Sequence, residues 1–413
     1  MSFPSEHDFT LFLFQLFVVL SLTLGLGELF RRIGQPTIVG EILGGVILGP
    51  SVLGTFAPEL WQAFLPAPQS QLLGNTAWLG SIFFLLLAGT EVNLASLHRQ
   101  GRAVLWTSFL ALVVPFALGF VFALNIAAEH LVNPARKWIF ALFIGTAMSV
   151  SAIPVIAKIL IDLDLMRKPI GNIILGAAVI NDLVGWIFFA IILSVTGSGI
   201  ASKSITVIIL LTIGFTLVCL TVGRQLVARL FVMFHVQRLP PEGILGFAAL
   251  LAFLCAGITQ WIGIHAIFGA FLAGVMLGET EEVKRRTHTA LHNFVLYIFA
   301  PIFFASMGMR ANFVRDFDLA LVVGMFAVAC AGKIIGGTLG GLLGGMKRDE
   351  AMAVGFGLNA RGAMEIILAF LALEHKLINE TVFVALVITA VGTAALSGPM
   401  IKWALARGKP TSS

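Results

Sequence analysis

The sequence predicts an all-α polytopic membrane protein with about 13 transmembrane helices, and three observations predict it. Hydrophobic residues make up 58% of the chain, charged residues 11%, and the mean hydropathy is +0.99; a soluble domain, with roughly 25% charged residues, has no such excess of apolar surface to hide. Apolar runs of about 17–25 residues, the length that crosses a hydrocarbon core, recur along the whole chain. The Lys and Arg residues between them alternate in density from one connection to the next, as membrane topology requires. The net charge of +5 therefore reads as orientation in a membrane and not as a nucleic-acid-binding stripe.

The runs lie near 9–29, 37–53, 75–92, 103–127, 137–160, 170–197, 203–223, 242–260, 263–278, 289–309, 317–345, 350–373 and 379–406. The first lacks a basic n-region and a small-residue cleavage site, so it is expected to stay in the mature protein. The second carries Glu41 in GEILGG, either a permeation or gating group or a satisfied polar contact. Glu91 ends the third and is expected at the interface. The fifth and twelfth are interrupted by small and polar residues, GTAMSVSAIP at 145–154 and GFGLNARG at 355–362, and Pro154 removes a backbone donor. His265 in the ninth is a pH-sensing group or a packed one. The glycine-rich 336–345 in the eleventh lacks the strand and the GK[ST] ending of a phosphate loop, so close helix packing is expected. Cys219, Cys255 and Cys330 have no CxxC spacing and are expected to pack inside helices.

Counting basic residues sets the orientation. Of the 26 Lys and Arg, 17 follow odd-numbered runs or lie at the C-terminal end, six lie on the other side, and Lys158, Lys333 and Arg361 fall inside runs. The N-terminus is expected outside, and the C-terminus, with a short tail at 407–413, in the cytoplasm.

The two interrupted runs are seven runs apart. The same offset pairs every run of one half with one of the other, and an odd offset reverses the direction of crossing. Two inverted repeats are expected, at about 9–197 and 242–406, joined by a linker helix at 203–223 within a single transporter domain, residues 1–406.

Asp182 in AAVINDLVGW, Lys333 in CAGKIIGG and Arg361 in GLNARGAMEI are ionisable residues inside such runs. A charge at the middle of a spanning helix costs about 2.5–3.5 kcal/mol, so each should face a cavity, a partner or a transported ion. Asp182 reads as an ion-binding group or as a structural carboxylate paired with Lys333 or Arg361. Asn181 either orients a neighbouring helix or lends a ligand oxygen. Thr146, Ser149 and Ser151 either add oxygens or bond backbone. Arg361 and Glu365, four residues apart, can satisfy each other. A channel calls for a repeated selectivity filter or charged rings, and a membrane enzyme for a set such as HExxH or GxSxG. Neither pattern occurs, so a secondary transporter is expected, without enzyme activity or cofactor.

The segments QPTIVGEILGGVILGPSVLG (35–54), FLLLAGTEVNL (84–94), SVSAIPVIAKIL (149–160), INDLVGW (180–186), GIHAIFGAFLAGVML (263–277), PIFFASMGM (301–309) and GLNARGAMEIILA (357–369) resemble the monovalent cation:proton antiporter superfamily. They are most similar to its second subfamily, which includes bacterial sodium or potassium antiporters, potassium efflux systems and plant cation/proton exchangers. The resemblance implies a core domain with two crossing broken helices, an ion-binding aspartate beside the crossing, and a dimerisation domain that forms a homodimer in a bacterial inner membrane. On this chain the crossing falls at 145–154 and 355–362. The site then comprises Asp182, which takes Na+ or K+ and H+ in turn, with Asn181, Ser149, Ser151 and Thr146, and a core charge network of Lys333, Arg361 and Glu365. Lys333 matches the lysine that, in electrogenic relatives, pairs with an aspartate where this chain has Asn181. Electroneutral exchange of one cation for one proton by alternating access is therefore expected. The alternatives are electrogenic antiport with Lys333 as second proton carrier, or a channel-like cation pathway.

Overall fold

The computed structural model describes residues 6–33, 35, 37–65, 67–90, 101–126, 128–165, 168–195, 205–233, 241–278 and 291–407. All regular structure among them is helical. Among the described residues ten helices are long and apolar enough to cross a bilayer. The expected runs at 137–160 and 350–373 are each two helices separated by a short extended or irregular segment, and the run at 263–278 holds a single helix of 12 residues, Ala266–Leu277. Glu91 and the tail at 408–413 lie outside the described residues.

In chain order the helices used below are α1 (Glu6–Arg32), α2 (Thr37–Leu48), α3 (Leu53–Phe56), α4 (Pro58–Phe64), α5 (Ala67–Thr90), α6 (Gly101–Leu124), α7 (Lys137–Ser149), α8 (Ile153–Asp162), α9 (Pro169–Val195), α10 (Ile205–Val218), α11 (Arg224–Met233), α12 (Pro241–Ile262), α13 (Ala266–Leu277), α14 (Ala300–Gly308), α15 (Leu319–Leu343), α16 (Arg348–Leu358), α17 (Ala363–Glu374) and α18 (Glu380–Arg407). The helix expected to end at 223 instead runs on through a π turn, Cys219–Gly223, into α11. Arg224 and Arg229 do not stop it because the stretch is amphipathic and keeps Val227 buried.

The chain divides into two compact units. One comprises Met1–Thr90, Cys219–Ile258 and Ala266–Phe317; the other comprises Glu91–Val218, Thr259–His265 and Asp318–Ser413. In the first unit, α2 packs on α1 and α14, and α5 packs on α13 and α14. Two seams there are built alike. A Cβ on Gly45 would strike the backbone of Ala305, and one on Gly308 would strike Ile42, Gly45 and Val46. A Cβ on Gly274 would strike the backbone of Leu86 and Gly89, and one on Gly89 would strike Phe271, Gly274 and Val275. Glycine at these four places lets helix backbones touch, which is how apolar helices adhere where lipid removes the hydrophobic drive.

In the second unit α15 is the central strut. Gly332, Gly336, Gly340 and Gly344, four residues apart and so on one face, meet Pro115, Leu110, Thr107 and Ala103 of α6. Gly337 and Gly341, on another face, meet Gly355 and Ala351 of α16. The glycine-rich run is thus a two-sided packing surface. Helix α9 lies against α6, α7, α8 and α16, and its Gly185 meets Val150 of the first helix interruption.

Candidate ion-exchange site

The first interruption, residues 150–152, begins where Val150 turns extended after α7. The second, residues 359–362, follows α16. Each interruption leaves carbonyls at the end of one helix and amides at the start of the next without intrahelical partners. The two satisfy part of this need from each other. The Ala152 N–H donates to the Ala360 carbonyl at 3.0 Å, and Ser151 Oγ donates to the Leu358 carbonyl at 2.9 Å. In return the Arg361 guanidinium donates to the Met148 carbonyl and, at 2.8 Å, to the Ala147 carbonyl.

Lys333 completes the set. Its Nζ donates to the Ser149 carbonyl, so three successive carbonyls at the end of α7 are held by one ammonium and one guanidinium. A helix C-terminus carries about half a negative charge, and cations are the favoured partners there. With its amide oriented to satisfy both ends, Asn181 donates to the Ser108 carbonyl at 2.9 Å and accepts from Lys333 Nζ at 3.2 Å. Of the two roles expected for Lys333, pairing with Asp182 or neutralising a helix end, the geometry has the second. Arg361 also binds Glu365 at 3.1 Å, although Arg361 itself sits in the interruption and only Glu365 is on α17.

Asp182 is fully buried on α9, and neither carboxylate oxygen has a hydrogen-bond partner among the described residues. The Ser151 backbone amide faces it without closing a bond. One turn further along, Gly185 lies against Val150, and a Cβ there would sit 2.5 Å from Val150 Cγ2. The small residue therefore lets α9 press the Asp182 turn against the first interruption.

The remaining candidates fall around this point with their hydroxyl protons committed. Thr146 Oγ1 donates to Leu142 O at 2.8 Å and Ser149 Oγ to Thr146 O at 2.7 Å. A hydroxyl that donates keeps lone pairs to accept, so donation does not disqualify these oxygens as ligands. Asn359, not singled out from the sequence, is buried in the second interruption with its Oδ1 unpartnered and its Nδ2 3.5 Å from Cys330 Sγ. An amide inside an apolar run next to Arg361 was the available signal. His265 is not part of this constellation: its ring stands edge-on to His375 with centroids 6.1 Å apart.

Residues 18–407 match the family described as sodium/hydrogen exchanger, transmembrane. The chain belongs to this family. It is 32% identical to the Na(+)/H(+) antiporter NhaS4 of Synechocystis over 95% of this chain and 96% of that protein. It is 33% identical to cation/H(+) antiporter 17 of Arabidopsis thaliana, covering 99% of this chain and 50% of the relative, and 28% identical to K(+)/H(+) antiporter 1 of Saccharomyces cerevisiae, covering 96% and 47%. The chain thus spans about half the length of these plant and yeast relatives. The fold is shared with the sodium proton antiporter MjNhaP1 of Methanocaldococcus jannaschii, at a TM-score of 0.67 and 17% identity over 96% of this chain and 97% of that one. Family membership and the ten long apolar helices make the chain an integral membrane protein.

Proposed function

We propose that the chain exchanges a monovalent cation, Na+ or K+, for H+ across the membrane, with Asp182 as the group both ions share. Relatives named as Na+/H+, K+/H+ and cation/H+ antiporters support the class of reaction. The observation that carries the site is the Asp182 carboxylate, fully buried and unpartnered while the two nearby cations are committed to carbonyls at the end of α7. A bare carboxylate enclosed in this way is strongly disfavoured, and either a proton or an alkali cation relieves it. Unwound backbone and the oxygens of Thr146, Ser149, Ser151 and Asn181 are the available additional ligands.

The exchange is electroneutral on this reading. Lys333, Arg361 and Glu365 keep their charges, so the cluster has the same net charge with Asp182 protonated as with Asp182 ionised and one cation bound. Lys333 is held by neutral acceptors, Ser149 O and Asn181 Oδ1, and its proton is needed for both.

The same proposal has two inverted repeats, thirteen crossings, an outside N-terminus and a cytoplasmic C-terminus, with alternating access at the interruptions. The doubled seams support the repeat. Positions 40–49, GEILGGVILG, and 269–278, GAFLAGVMLG, agree at six of ten residues, and the contacts of Gly45 with Ala305 and of Gly274 with Leu86 correspond through that register. In the other unit, Gly119 meets Met148 and Gly145 as Gly337 meets Leu358 and Gly355. Homodimerisation is proposed through the first unit, where α1 and α12 leave Phe14, Phe17, Leu250 and Leu254 exposed.

The test is transport in sealed proteoliposomes with an internal pH dye, adding Na+, K+ and Li+ in turn. Cation-driven pH change is expected for the wild type, and Asp182→Asn should reduce it to the level of empty liposomes while still inserting. Near wild-type exchange by a well-folded Asp182→Asn would overturn the assignment.

A further inference from the structure

Glu41, like Asp182 and Glu365, is a buried carboxylate inside an apolar run. It belongs to α2 in the unit that does not contain Asp182. The side chain is 5% exposed, its Oε2 is enclosed without a partner, and it makes no hydrogen bond or ion pair among the described residues. The expectation of a satisfied polar contact therefore fails. Its surroundings are tightly drawn: Gly27 of α1 stands against it, where a Cβ would lie 3.6 Å from Glu41 Cγ.

Among the described residues no charged group pairs with it. Helix α2 packs on α1, α3 and α14. Helix α1 turns Gln15, Val19, Thr23 and Gly27 inward, while its charged Glu28, Arg31 and Arg32 bond one another at the exposed end. Helices α3 and α14 carry no titratable side chain. Among the described residues, the polar side chains that α1 turns inward do not form a ligand set around Glu41. Thr23 turns its methyl toward Gly44 and donates its hydroxyl to Val19 O at 2.6 Å, and Gln15, whose Nε2 donates to Phe64 O and whose Oε1 is unpartnered, lies about three turns along α1 from Gly27. A dehydrated alkali ion needs several oxygens to replace its hydration shell, whereas a proton needs one.

Packing does not require a carboxylate at this position either. In the register that superimposes the two seams, Glu41 corresponds to Ala270, which is fully buried in α13. The corresponding position in α13 is thus filled by a fully buried methyl group. Glu41 is thus a departure from the repeat at an enclosed point, and its distinguishing chemistry is the ability to bind and release a proton.

We propose that Glu41 is a second proton-binding carboxyl of this chain, separate from Asp182, located between α1 and α2. It does not depend on what Asp182 binds. The experiment is pH-difference infrared spectroscopy of the full chain in liposomes, comparing Asp182→Asn with the double variant Asp182→Asn/Glu41→Gln. Glu365 and every other carboxyl are common to both and cancel. The expected result is a pH-titrating C=O stretch of a protonated carboxyl present in the first and lost in the second. Identical spectra across the titration would overturn the proposal. Glu41→Ala, which installs the residue of the repeat partner, is the second variant should Glu41→Gln insert poorly, and the same band should vanish. Addition of Na+ or K+ should leave the Glu41 band unchanged; its displacement by either cation would make the site a cation site and overturn the proton assignment.

Discussion

At the first interruption Ser151 reaches across to the carbonyl that ends α16, and at the second Arg361 reaches across to the Met148 carbonyl near the end of α7. The two positions correspond in the proposed repeat register, as do Leu358 and Met148, so one contact is made twice with unlike side chains. The end of α16 receives a hydroxyl and, through Ala360, a backbone amide, while the end of α7 receives a guanidinium and an ammonium. Backbone geometry is duplicated and charge is not. On the proposed repeat, what the halves share is a mechanical frame, and the proposed chemistry resides where they differ: Arg361 against Ser151, Glu41 against Ala270. Asp182 lies near the Ser151 amide and within electrostatic reach of Lys333, yet neither closes a hydrogen bond to its carboxylate.

The sharpest way to break this contrast is Arg361→Ser, which gives the second interruption the residue of the first. It strands Glu365 as a buried unpaired carboxylate and frees the carbonyls of Ala147 and Met148. Removing one partner of a buried pair costs about 3–5 kcal/mol. Thermal unfolding in lipid should show a large loss, and adding Glu365→Gln should restore part of it. An Arg361→Ser chain that melts with the wild type would remove the charge asymmetry from the argument.

A smaller effect is expected from Lys333→Gln, which loses a charge-assisted bond to the Ser149 carbonyl, worth about 1.5–3 kcal/mol. Its transport behaviour sharpens the electroneutral reading. A moved charge is worth roughly 2.3 kcal/mol per 100 mV, so with potential clamped the wild-type reversal point should not respond to voltage. A response that disappears in Lys333→Gln would instead identify Lys333 as the carrier of a second proton.

Ser151→Ala should do least, about 1 kcal/mol for one neutral hydrogen bond, with exchange retained and weaker apparent cation affinity. Damage from Ser151→Ala as large as that from Arg361→Ser would mean the two caps are equivalent despite their chemistry.

The helical architecture and the residues of the candidate site were legible in the sequence. Hydropathy gives the spans because a bilayer demands about 20 apolar residues per crossing, and it marked the ten long helices. The interruptions were visible as GTAMSVSAIP and GFGLNARG because small and polar residues weaken a helix in an apolar run. Asp182 stood out because an isolated carboxylate is costly there. The helix continuing to Met233 was not legible, since two arginines look like an end until burial of Val227 is known. The proposed repeat register was equally hidden, because the six matching residues support it only once Gly45 and Gly274 are each seen against helix backbone.

By itself, then, the sequence determined a membrane-spanning helical chain with two broken helices and a carboxylate beside them, since these follow from composition and local spacing. Tertiary structure alone decided the partners. Lys333 is 184 residues from Ser149 and Arg361 is 213 from Met148, and separations of that size carry no local signal. Whether a buried charge finds a partner depends on which helix end or glycine face the fold brings to it: Lys333 and Arg361 meet the carbonyls that end α7, whereas the Asp182 oxygens and Glu41 Oε2 meet no hydrogen-bonding group among the described residues.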